Sequence, residues 1–282
     1  MNWEQTIAFA REQKEYKDLI NACYLSPDLV LNVKNYGASE EFKEILKLIN
    51  EYAPSAKNLI EFGAGNGIAS INFSLAGYNV LSTEPDKSET VGAGAIKKLI
   101  THFNLKNISV IESYAEEIKE TSNKFDIVFA RQCMHHANDL MAFTKNAYRL
   151  LKPGGLFFTV RDHVINSEEN KQEFFKSHPF HKFYGGENAF TLEEYEQALL
   201  KAGFRITKRL NYFDSIINYF PEKDPLNSLT IQRNNQIRNK FPLLSNSAIT
   251  KAILLKLFDF KHGQLNDDSN IIGRMYSFLA TK

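Results

Sequence analysis

Within Glu61-Phe62-Gly63-Ala64-Gly65-Asn66-Gly67, three glycines alternate directly behind an acid, and this is where the chain's residue types and spacing first suggest chemistry. Glycines at such positions let the backbone turn tightly and leave no Cβ between main chain and ligand. A dinucleotide fingerprint would place its third glycine at position 68, which is Ile68, so a nicotinamide cofactor is disfavoured. Glu61 stands where a carboxylate can receive an ammonium group, directly or through water. Glu84 follows Gly63 by about 20 residues, the separation from which a second carboxylate can accept hydrogen bonds from both hydroxyls of a ribose.

A second group of reactive side chains lies further on. Five of the seven histidines, His135, His136, His163, His178 and His181, fall in one stretch of the chain. Arg131-Gln132-Cys133-Met134-His135-His136 and Arg161-Asp162-His163 each follow an apolar run, so both sets are expected at one crevice. A histidine near neutral pKa suits a general base, and an arginine at each strand end suits an anion clamp. His136 is the first choice as base, with His163 and His135 as rivals, and Arg131 and Arg161 are expected to orient the substrate. The loop His178 to Asn188 mixes aromatics, histidines and glycines, and its length points to a substrate-covering role. A divalent ion on His135, His163, His178 or His181 with Asp162 would need a spacing that matches no standard motif, so no metal ligands are assigned.

These residues require a scaffold of alternating strands and helices. Phe42, Ile45, Leu46 and Ile49 repeat at helical spacing after Ser39, and Pro54 closes that segment. Strands are then expected at 58–62, 79–84, 108–111, 125–130, 155–160, 204–210 and 274–281, with helices at 88–103 and 139–151 among those between them. Thr191-Leu192-Glu193-Glu194 has the spacing of a capping box. The pattern implies an α/β fold, a doubly wound seven-stranded sheet with an antiparallel last strand. Residues 1–54 read as an N-terminal helical cap, 55–211 plus 271–282 as the core, and 212–270 as a helical insertion or lid.

Composition narrows the function further. The net charge is +1 and the basic residues are scattered, so the footprint of a nucleic-acid binder is missing. Cys23 and Cys133 have no paired spacing, which argues against a disulfide framework or a cysteine zinc site and fits a reducing cytoplasm. The start Met1-Asn2-Trp3-Glu4-Gln5 does not read as a secretion signal. The apolar stretch Ala248 to Phe260 is interrupted by Lys251 and Lys256 and is too short for a membrane span.

In combination, these motifs resemble the class I S-adenosylmethionine-dependent methyltransferase family over about residues 55–211 and 271–282. Glu61 to Gly67 is similar to the family's first motif, and Glu84 with Pro85 to its ribose-binding segment. Ser113-Tyr114-Ala115-Glu116 is similar to the segment beside the adenine, although that segment often carries Asp where this chain has Tyr114. Phe125 to Arg131 resembles the strand and loop beneath the methionine part, and Leu150 to Gly155 completes the order. The resemblance implies that S-adenosyl-L-methionine is held by Glu61, Gly63, Ala64, Gly65, Gly67, Glu84, Pro85, Tyr114, Ala115, Glu116 and Arg131. It implies methyl transfer to an oxygen, in preference to a nitrogen, of a small polar and anionic metabolite, such as a sugar or phosphate-containing precursor of a bacterial surface polysaccharide. The alternatives are a protein or nucleic-acid methyltransferase, disfavoured because no Asn-Pro-Pro-Tyr motif follows the fourth strand, and a non-catalytic cofactor-binding regulatory protein. Oligomeric state is left open.

Overall fold

The computed structural model describes residues 1–241, 250, 253–257 and 267–282. Four helices come first: α1 (Trp3–Glu12), α2 (Lys17–Ala22), α3 (Leu29–Ala38) and α4 (Glu40–Tyr52). The Ser39 hydroxyl caps α4 by accepting from the Phe42 amide at 3.1 Å, and Phe42, Ile45, Leu48 and Ile49 are its buried stripe.

Strands β1 (Asn58–Phe62), β2 (Asn79–Thr83), β3 (Ile108–Ile111), β4 (Phe125–Arg131) and β5 (Leu151–Ile165) follow, with α5 (Ile68–Leu75), α6 (Ala93–His102) and α7 (Leu140–Leu150) among them. The second half holds α8 (Glu168–Ser177), α9 (His181–Tyr184), β6 (Phe190–Thr191), α10 (Leu192–Ala202), β7 (Arg205–Leu210), α11 (Ile216–Tyr219), α12 (Pro225–Lys240) and β8 (Met275–Thr281). The sheet order is β3-β2-β1-β4-β5-β8-β7, parallel from β3 to β5, with β8 antiparallel to both β5 and β7. The expected seven strands are therefore joined by an eighth, the two-residue β6 paired with β5. The last strand is inserted between β5 and β7 rather than lying only beside the latter.

The central strands read as unbroken apolar runs because both faces are covered. Side chains alternate across the sheet. Leu59, Ile127, Phe129, Leu156 and Phe158 pack with α3, α4 and α5 on one face, and Ile60, Phe62, Val128, Ala130 and Phe157 pack with α7 and α10 on the other. Phe129 meets Phe73 with ring centroids 4.9 Å apart and Phe158 at 5.9 Å, which locks the first face.

Two expected elements differ by several residues at a boundary, and others by one. The helix expected from Ser88 begins only at Ala93, because Asp86 captures the preceding turn: its carboxylate accepts from the Ser88 amide at 2.7 Å and its carbonyl from the Ala93 amide at 2.7 Å. Strand β5 is much longer than the expected 155–160, since it begins at Leu151, paired with Phe125, passes through an irregularity over Lys152 to Gly155 and continues extended to Ile165. The expected helix at Ala248 to Phe260 lies mostly outside the described residues. Among the described residues no helix is long and apolar enough to cross a membrane.

Candidate active site

The turn from β1 into α5 sits at the carboxyl ends of the parallel strands, where open α/β sheets form their ligand crevice. Gly63 and Gly65 have φ of 60° and 54°, which strains any residue with a Cβ. A Cβ on Gly63 would stand 2.4 Å from Cys133 Sγ, whereas at Gly65 the nearest atom would be 4.0 Å away, so the Gly65 backbone opens onto free space. The Gly65 amide donates to Glu84 Oε2 at 2.7 Å, and the Asp86 amide to Oε1 at 2.9 Å. Glu84 thus fixes the glycine turn while each of its oxygens keeps a further lone pair. Glu61 is buried and accepts from the Ser70 hydroxyl, which in turn accepts from Ser82.

A cavity of about 560 Å³ opens here. It is lined by Glu61, Gly63, Ala64, Gly65, Glu84, Pro85, Tyr114, Ala115, Glu116, Arg131, His135, His136 and His163. Two expected site residues do not line it. Gly67 instead starts α5 at φ 84°, and a Cβ there would meet the Ile96 side chain at 2.8 Å, so its role is the turn and its packing. Arg161 is turned away by a register shift between Thr159 and Asp162 in the β5–β8 ladder, with Arg161 itself at φ 63°. Such a bulge re-aims side chains. Arg161 Nη1 donates to the carbonyls of Ile217 and Phe220 at 2.7 and 2.9 Å, so the expected anion clamp at this position is corrected. Arg131 reaches the cleft wall, but its Nε and Nη2 donate to the two oxygens of Glu41 on α4 at 2.6 and 3.2 Å. Its charge is already matched inside the protein.

The same bulge sends Asp162 the other way. Its Oδ1 accepts from the His135 amide and from His135 Nδ1, each at 3.0 Å, and the Thr159 hydroxyl donates to Oδ2. His136 Nδ1 faces the Gly186 carbonyl at 3.0 Å, and His163 Nδ1 faces the Gly273 carbonyl at 3.0 Å. A carbonyl only accepts, so both rings carry their proton on Nδ1 and leave the Nε2 lone pair free. Burial, reinforced by the neighbouring His135, lowers the pKa of His136 and His163 and keeps both neutral. Burial alone would depress His135 as well, but Asp162 and Glu187 outweigh it and raise its pKa to about 9.

Glu187 was absent from the sequence reading as a site residue. It is buried, accepts from the Tyr184 hydroxyl, and lies 3.7 Å from Nε2 of His135, His136 and His178. The Gly185-Gly186 pair just before it, inside a loop that also holds His178 and His181, was the available signal. The N-terminus roofs this part of the cleft: Trp3 packs on Phe180 and Tyr184 with centroids 5.8 and 5.0 Å away, and the Met1 ammonium donates to the Phe183 carbonyl at 3.0 Å. His181, in the loop expected to cover the substrate, stacks on Phe175 at 4.3 Å and does not line the cavity.

A mostly parallel α/β sheet with a glycine turn and paired strand-end acids defines a nucleoside-binding class of protein. The family described as a methyltransferase domain matches residues 36–209, more than half the chain, and the chain belongs to it. It is 31% identical over 105 residues to a ubiquinone biosynthesis O-methyltransferase of Methylobacterium nodulans, covering 36% of this chain and 40% of that one. It is 25% identical over 161 residues to the ubiquinone/menaquinone biosynthesis C-methyltransferase UbiE of Rickettsia akari, covering 56% of this chain and 61% of that one. The chain thus spans about two fifths to three fifths of these curated relatives. Among solved structures it is similar to phosphoethanolamine N-methyltransferase 2 of Haemonchus contortus in complex with phosphomonomethylethanolamine and S-adenosylhomocysteine, at a TM-score of 0.52 and 20% identity. That likeness covers 85% of this chain and 52% of the other.

The cofactor of this family is S-adenosylmethionine, and the residues present fit it. Glu61 offers a buried carboxylate to an ammonium, the Gly65 backbone is open, Glu84 has spare acceptors for vicinal hydroxyls, and Tyr114 is half exposed at the cleft edge. Replacing Glu84 with alanine is expected to weaken S-adenosylhomocysteine binding at least tenfold, about 1.4 kcal/mol, by calorimetric titration. Equal affinity in the variant would remove Glu84 from the cofactor site.

The two acids also predict how stability depends on pH. Burial raises the pKa of Glu61 from 4.5 to about 8, partly offset by the Ser70 hydrogen bond and Arg131. Burial likewise raises Glu84 from 4.5 to about 7, partly offset by the Asp86 and Gly65 amides. The folded protein therefore holds more protons than the unfolded chain above pH 4.5, so this contribution to stability is full below that pH and is lost as pH rises through 7 to 8. Without cofactor, the melting temperature should fall between about pH 5 and 8.5, and Glu61→Gln should flatten the fall. A melting temperature unaffected by the substitution across this range would sink the assignment.

Proposed function

We propose that this chain transfers the methyl group of S-adenosylmethionine to an oxygen of a small polar acceptor seated against the His135, His136 and His163 wall. One observation carries the reading: a single cavity is lined both by Glu84, Gly65 and Glu61 and by those three histidines. The bound sulfonium supplies an activated methyl group, and the protein must align the acceptor, exclude water and take up its proton. His136 is the base in this reading, because its Nε2 lone pair is free and over a third of its side chain is exposed to the cleft. His163 is the rival, and His135, held as a cation between Asp162 and Glu187, positions Glu187.

The relatives act on oxygen and carbon, and the structural neighbour on nitrogen, by their names, so the acceptor atom is argued from this chain's own base. A hydroxyl needs a base, and a neutral histidine meets that need. The anionic character expected of the acceptor loses support once Arg131 is paired with Glu41 and Arg161 turns away. A sugar hydroxyl, including one on a polysaccharide precursor, remains within the proposal without requiring negative charge. The test is S-adenosylhomocysteine release across hydroxyl, phosphorylated-sugar and amine acceptors. Turnover with hydroxyl compounds is expected, and turnover confined to amines would overturn the choice of oxygen.

A further inference from the structure

We propose that His135, His163 and Glu187 form a binding site for a divalent transition-metal ion on the acceptor side of the cleft. The three residues each bring one ligand atom to within 4.8 Å of the others, and all three are buried. Two imidazoles and one carboxylate are the donor set of hydrolytic zinc centres, which keep a fourth position for a ligand. The same set suits iron(II), while its nitrogen share disfavours magnesium.

The surroundings of the rings are those of metal ligands. A ligating imidazole nearly always donates its other N–H to a carboxylate or carbonyl, which fixes the tautomer and aims the lone pair. His135 Nδ1 is held by Asp162, itself gripped by Thr159, and His163 Nδ1 by the Gly273 carbonyl. Nε2 is thereby the ligand atom on each ring, at His135 once the metal displaces the proton that Nε2 carries in the metal-free protein. His135 Nε2 already stands 3.7 Å from Glu187 Oε2, and tetrahedral bonds of about 2.1 Å place ligand atoms about 3.4 Å apart, so this pair closes by a small contraction and the set, all within 4.8 Å, by at most about 1.4 Å.

Glu187 is supported in the same way. The Tyr184 hydroxyl donates to its Oε1. The His181 amide donates to His178 Nδ1 at 3.3 Å, so neutral His178 carries its proton on Nε2 and presents an N–H to Oε1 at 3.7 Å. That leaves Oε2 as the oxygen free to ligate, 3.7 Å from Nε2 of His135 and of His136. The ligands come from three different segments, which is why no sequence spacing announced them. All three line the cavity, so the open coordination position faces the acceptor space. The metal site stands by itself. Its use, ligating an acceptor oxygen beside His136, rests on the methyl-transfer reading.

The test is titration of the metal-stripped full chain with zinc and with cobalt(II), following heat and the visible absorption of cobalt, in wild type, Glu187→Gln and His163→Ala. One equivalent of zinc at micromolar affinity or tighter is expected, with tetrahedral-type cobalt bands. Each substitution should weaken zinc binding by at least about tenfold, in line with the loss of one donor. Glu187→Gln preserves shape, and S-adenosylhomocysteine titration of every variant reports whether the fold survives. Intact S-adenosylhomocysteine binding without one equivalent of zinc, or zinc binding indifferent to both substitutions, would overturn the metal site alone. Zinc binding without S-adenosylhomocysteine binding would instead overturn the methyl-transfer reading and leave the site standing.

Discussion

His136→Asn is expected to lower kcat by roughly 10²- to 10⁴-fold, the usual worth of a positioned general base. The asparagine amide nitrogen takes about the place of Nδ1, so the donation to the Gly186 carbonyl, 3.0 Å in the native protein, can persist. What disappears is Nε2, the atom with the lone pair. The substitution therefore separates proton uptake from loop anchoring. Affinity for S-adenosylhomocysteine should stay within about twofold, because the cofactor end of the cleft is held by Glu84, Gly65 and Glu61. Steady-state assays should show the loss in kcat with little change in KM for the cofactor. An unchanged kcat would remove His136 as base and return the role, in the metal-free protein, to His163. A loss confined to cofactor binding would mean that the Gly186 loop matters more than the proton.

The parts of this site that were legible in the sequence are those built from neighbours in the chain. Strands β1 and β3 fall on their expected bounds, and the Thr191–Glu194 capping box starts α10 as its spacing implied, since each depends on a few adjacent residues. The glycine turn was legible for the same reason, with Gly67 set apart from Gly63 and Gly65 because only those two line the cavity. Other features arise from contacts that no local pattern encodes. The bulge at Thr159 to Asp162 is set by pairing with β8, more than 100 residues away, and it decides that Asp162 points to His135 while Arg161 points away. Glu187 looked like one acid in a polar loop. Only the folding of that loop over the cleft puts it among three histidines.

Arg131 is the case where a residue was read correctly as a cleft residue and wrongly as a free charge, and it carries a strong prediction. Glu41→Ala is expected to destabilise the protein by about 3–5 kcal/mol, the cost of removing one partner from a buried ion pair. Glu41 in the first turn of α4 would ordinarily be a solvated helix-start acid. Here its side chain is 1% exposed, it accepts two hydrogen bonds from Arg131, and it stands 3.8 Å from Arg161 Nη1. Burial works against the Arg131 charge, yet Glu41 more than compensates and raises its pKa. Tyr36 and Tyr24 flank the guanidinium at 5.2 and 5.8 Å, which adds quadrupole attraction but no negative charge. Without Glu41, two guanidinium groups face each other at the junction of the N-terminal helices and the sheet, with no acid between them. The loss should appear as a lower urea midpoint at unchanged slope. Adding Arg131→Met should restore part of it, because a neutral apolar pair costs less than an orphaned charge. If Glu41→Ala shifts stability by less than about 1 kcal/mol, the value of an exposed pair, then the N-terminal helices open readily and the guanidinium groups reach water.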